Sequence, residues 1–99
     1  MAKYTYEEIK RRFEDCIKVG YEPELMIYLG GKMYGIIGYA DFVEFMRIPC
    51  VDFSEIVRFG SLDELYNTQT VDEVLLVRDW DRIEKFECMD FSIYFEEDF

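Results

Sequence analysis

Histidine is missing from all 99 residues. General acid–base work near neutral pH most often uses that side chain, and spaced Cys/His zinc sets need it too. Cysteine is scarce. Cys16, Cys50 and Cys88 are odd in number, far apart and form no C-x-x-C pair. They read as reduced, mostly buried thiols. A nucleophilic cysteine would have only Lys or Arg to favour its thiolate. No apolar run approaches the roughly 18 residues that a bilayer span needs. The opening residues MAKYTYEEIKRR are charged where a signal peptide would be apolar, so the cytoplasm is the expected location.

Basic residues are few and unevenly placed. Residues 1–40 hold six acids and six bases, whereas residues 41–99 hold sixteen acids and five bases, so the net charge of −11 comes from the second part. Such a surface repels nucleic acid and anionic lipid and attracts basic protein surfaces. Half of the chain is hydrophobic and 18 % is aromatic, too rich for a disordered acidic chain. The expectation is one folded domain over residues 1–99 with an acidic, aromatic C-terminal tail from about residue 88.

Thr5-Tyr6-Glu7-Glu8 has the form of a capping box, and Ile9, Phe13 and Ile17 follow at helical spacing up to Gly20. This predicts a helix over residues 6–19. Pro23 breaks the chain. Residues 24–29 and 32–39 then read as a hairpin joined by Gly30-Gly31, both able to take positive φ. Gly35 and Gly38 inside the return strand imply a bulge or a close helix approach. Residues 42–48 predict a third strand ended by Pro49, residues 50–55 a loop and residues 56–59 a short fourth strand. Ser61 and Glu64 repeat the capping logic for a short helix closed by Asn67. Thr70 to Glu73 offers a third such start, and Leu76, Trp80 and Ile83 share a helical face, which predicts a helix over about residues 73–87. The run Val74–Val77 also suits a buried strand. Phe91, Ile93 and Phe95 alternate with period two, as a last strand would. The sum is an α+β fold, a small antiparallel sheet of three to five strands with helices packed on one face.

Candidate chemistry is sparse. Asp79 with Asp81, or Glu96 with Glu97, are the available carboxylate pairs, but residues two apart on a helix diverge. The alternating acids of a calcium loop are absent. Gly30-Gly31 and Gly35-x-x-Gly38 sit in a hairpin and open no helix, so they are not phosphate loops. No catalytic residue, metal or cofactor is expected, and the chain reads as a non-enzyme.

Phe59-Gly60-Ser61-Leu62-Asp63-Glu64-Leu65, Val71-Asp72, Leu76, Trp80-Asp81 and Ile83 carry a resemblance to small acidic proteins of Firmicutes and their phages or mobile elements. Those proteins also begin with a T-Y-E-E-style helix and a glycine-turn hairpin, matched by residues 5–8 and 25–39. The usual glycine after the second aspartate is Glu73 here, and the tail after Phe86 is extra. The resemblance supports the fold and implies no activity.

The function expected is that of an acidic protein binding a basic protein surface. A phage-type inhibitor of a nuclease, anti-CRISPR-like and mimicking nucleic-acid charge, fits that description, with a nucleic-acid-binding protein or nuclease as partner. Direct binding to nucleic acid or membrane is not expected. Contact residues are expected among the acids Asp79, Asp81, Glu84, Glu87, Glu96, Glu97 and Asp98, with less weight on Asp63 and Glu64 and with Tyr94, Phe95 and Phe99 as anchors. The alternative is a structural or regulatory domain that self-associates as a homodimer through its sheet or tail, or an immunity or antitoxin-type binder.

Overall fold

Thr5 caps the first helix as its sequence dictates. Its hydroxyl accepts from the Glu8 amide at 3.1 Å and the Glu8 carboxylate accepts from the Thr5 amide at 2.8 Å, so α1 runs Tyr6–Lys18. The structure, a computed structural model, describes residues 2–87. Tyr6, Ile9, Phe13 and Cys16 form the buried stripe of α1.

β1 (Glu24–Leu29) and β2 (Lys32–Gly38) pair as a hairpin in unbroken register from Glu24↔Ile37 to Leu29↔Lys32. Gly30 (φ 61°) and Gly31 (φ 77°) make the turn in the left-handed region that glycine enters without steric cost. β3 (Val43–Ile48) and β4 (Val57–Phe59) follow, separated by a short 3₁₀ turn, Phe53–Glu55, inside the predicted loop. α2 (Leu62–Tyr66) is capped by Ser61, whose hydroxyl accepts from the Glu64 amide at 3.1 Å. The Glu64 carboxylate accepts from the Gly60 amide instead of closing a full box on Ser61.

The long helix predicted over residues 73–87 is not formed. Asp72 (φ 55°) and Glu73 (φ 62°) are left-handed, and Leu75 is extended. α3 is only Leu76–Asp79, followed by a 3₁₀ turn at Trp80–Arg82. Ile83 returns to extended backbone, and Lys85–Glu87 forms β5. β5 pairs with the free side of β1, Ile27 opposite Phe86, so a few residues of ladder replace what the helix would have gained. The fifth strand is therefore β5. The strand expected around Phe91–Phe95 lies outside the described residues.

The result is an α+β fold, with one five-stranded antiparallel sheet among the described residues in the order β4-β3-β2-β1-β5. Register divides its residues between two faces. Leu25, Ile27, Ile36, Phe45, Phe59 and Phe86 turn inward and share one core with α1, α2 and α3. Gly38 lies on this face because Phe13 presses against it: a Cβ there would fall 2.7 Å from Phe13 Cδ2. No bulge interrupts the strand. Met26, Tyr28, Met33, Ile37, Met46 and Ile48 point the other way, outside that core. Trp80 is buried with Leu76 and Ile83, as their spacing predicts, although only Leu76 and the start of that run are α-helical.

Candidate protein-binding surface

The acids picked out by sequence do not share a surface. Asp79 is 3 % exposed, which corrects its placement among solvent-facing residues. Its carboxylate accepts from Arg78 at 2.9 Å, from Arg82 at 3.4 Å and from the Leu75 amide at 3.0 Å. Arg78 and the Leu75 amide outweigh the cost of burial and hold its pKa at about 2. A buried, fully engaged carboxylate of this kind is a structural anchor. Arg78 also donates to the Glu73 carbonyl at 3.0 Å, and the Asp72 carboxylate accepts from the Tyr34 hydroxyl at 2.9 Å. Together they hold the left-handed Asp72–Glu73 pair in place. Burial, reinforced by Asp72, pushes the Tyr34 hydroxyl up to about 12.

Asp81 and Glu84 are exposed. Neither Glu84 nor Glu87 lies on a helix. Glu84 enters β5 with its amide on the Tyr28 carbonyl at 2.8 Å. Glu87 sits on the outer sheet face, where it accepts from the Tyr28 hydroxyl at 3.0 Å and pairs with Lys85 at 3.4 Å. Asp63 is taken up by the Tyr6 hydroxyl and by Lys10, the latter at 2.7 Å, and these two hold its carboxyl below the usual range. Glu64 serves the α2 cap. Tyr94, Phe95, Glu96, Glu97, Asp98 and Phe99 lie outside the described residues.

One predicted acid does meet an aromatic surface. A cleft of about 240 Å³ opens where α1 begins, beside the end of α2 and the Trp80–Arg82 turn. Its floor is a ring cluster. Tyr6 stacks on Tyr66 at 3.7 Å between centroids, and Trp80 meets both edge-on at 5.4 and 5.9 Å. The Trp80 indole is fixed by donating to the Tyr4 carbonyl at 2.8 Å. Val77, 46 % exposed, lines the cleft together with Glu7 and Asp81. The Tyr66 hydroxyl is pushed above its ordinary range, first by burial and then by the Glu7 and Asp81 carboxylates. Two acids thus line the cleft beside a half-buried ring and act on its hydroxyl. Sequence spacing gave no sign of this, because residues 7, 66 and 81 converge only through tertiary packing.

Elsewhere a cleft of about 300 Å³ separates α1 from the β2–β3 turn, with Phe13, Ile17 and Phe42 in its wall and the Lys10–Asp63 pair beside it. Among the described residues no group of three Cys, Asp or Glu side chains is placed to hold a metal ion, and no helix is long and apolar enough to cross a membrane. The chain matches no protein-family profile, no curated protein and no solved structure.

Proposed function

We propose that this chain is a non-enzymatic acidic protein that binds a basic protein surface, seating a lysine or arginine side chain over Tyr66 between Glu7 and Asp81. The observation that carries this reading is the cleft that gathers Glu7 and Asp81 beside the Tyr66 ring. An aromatic face attracts a cation, and two carboxylates within electrostatic reach of that ring add charge, with Arg78 the one base among the described residues that line the cleft. Arg78 is committed to Asp79 and to the Glu73 carbonyl. Exposed Val77 supplies apolar contact for the stem of the incoming side chain.

The net charge of −11 acts at longer range. It speeds encounter with a basic partner and disfavours a phosphate backbone. The basic groove of a nucleic-acid-binding protein or nuclease is the partner class that this charge selects. Occupying such a groove is the role of a phage-type inhibitor that mimics nucleic-acid charge. An arginine-rich peptide is the probe. Its affinity, measured by calorimetry, is expected to fall steeply with salt and to fall at least about tenfold in the Glu7→Lys, Asp81→Lys double variant. Equal affinity for the two proteins at low salt would overturn the reading.

A further inference from the structure

We infer that the outer face of the five-stranded sheet is a self-association surface that takes a second copy of this chain, independently of the cation site above. Half-buried Met26, Met33, Ile37 and Ile48 surround the buried Met46 on this face, across the sheet from the core that α1, α2 and α3 complete. Gly35 lets them pack flat, since a Cβ there would fall 2.8 Å from Ile48 Cδ1. β1, β2 and β3 run six or seven residues and β4 and β5 three each, so at about 3.3 Å per residue and about 4.8 Å between strands the face covers about 400 Å². Two such faces bury about 800 Å², the size of a weak, reversible association.

Charge identifies the occupant. Among the described residues the face carries Glu24, Glu44 and Glu87 against Arg58 and Lys85, a net of −1 on a chain of −11. Arg58 pairs with Glu44 at 2.9 Å and Lys85 with Glu87 at 3.4 Å. A basic partner gains little from so balanced a patch, whereas two acidic copies can approach here with the least repulsion. The arrangement is also self-complementary. Arg58 stands at the β4 edge, and Glu24 and Glu87 stand on β1 and β5 at the opposite edge. A two-fold axis parallel to the strands lays the β4 edge of each copy over the β5 edge of the other. That brings each Arg58 to the partner's carboxylates.

Sedimentation equilibrium of the full chain over a wide concentration range tests this. The expected mass rises toward twice the 12.0 kDa of the chain. Ile37→Lys should weaken the dimer at least about tenfold while leaving the circular dichroism unchanged. Should that variant fail to fold, the rim supplies an independent check: Arg58→Glu weakens the dimer several-fold, and adding Glu87→Lys restores it. A wild-type chain that stays monomeric at millimolar concentration overturns the inference, whatever covers the face instead. So does a dimer indifferent to all of these changes.

Discussion

Trp80 reaches across the fold to the start of the chain, its indole N–H donating to the carbonyl of Tyr4 at 2.8 Å. This one bond ties the segment before α1 to the turn after α3 and sets the ring cluster under the candidate cleft. Buried at 6 % exposure, Trp80 should fluoresce at blue-shifted wavelengths in the folded protein and shift to the red on unfolding. Trp80→Phe keeps much of the apolar contact but leaves the Tyr4 carbonyl without this donor. The expected cost is about 1–3 kcal/mol in urea titrations, and a loss too small to measure would contradict the bond's role.

Gly38 and Phe13 make a second test of the packing. Gly38→Ala places a methyl group where the ring already stands, so α1 must shift. The expected loss is about 1–3 kcal/mol, as for other overpacked cores. Phe13→Ala should cost about 3–5 kcal/mol, and a loss below about 1 kcal/mol would mean that this helix face is not core.

Much of this was legible in the sequence where local chemistry and tertiary packing agree. The Thr5–Glu8 box, the Gly30-Gly31 turn and the Ser61 cap each specify their element, and the structure forms all three. Residues 70–87 show the opposite case. Leu76, Trp80 and Ile83 have helical spacing, yet each is buried from a different local conformation. Thr70 makes no side-chain cap there, and the segment bends at Asp72–Glu73 to bring β5 onto the open side of β1. That side is a long-range demand with no local signal. Asp79 was unreadable for a related reason. Acids are normally solvated, and only its bracketing by Arg78 and Arg82 hints at a buried anchor.

Asp79 gives a pH dependence. Its pKa is depressed to about 2 in the folded protein, from 3.8. The stabilisation is therefore present above pH 4 and is lost as pH falls toward 2, because the unfolded chain binds the proton first. The contribution is on the order of 2 kcal/mol. Asp79→Asn should remove much of the stability change across that window. Unfolding curves at pH 5 and pH 2.5 for the two proteins check it, and equal acid sensitivity would refute the assignment.

The left-handed Asp72–Glu73 turn should also respond to substitution. Glu73→Gly relieves one strained residue and retains the Arg78 contact, which is made to the Glu73 carbonyl. Stability should be unchanged or higher by up to about 1 kcal/mol, and a clear loss would mean that the Glu73 side chain has a role of its own.

Two-dimensional NMR of the full chain, titrated with an arginine-rich peptide, probes cation binding at Tyr66 residue by residue. Shifts are expected to concentrate at Glu7, Tyr66, Val77 and Asp81, to weaken with salt and to vanish in the Glu7→Lys, Asp81→Lys variant. Shifts spread evenly over the exposed acids, or unchanged in that variant, would contradict a site at Tyr66 and leave only diffuse attraction between opposite charges.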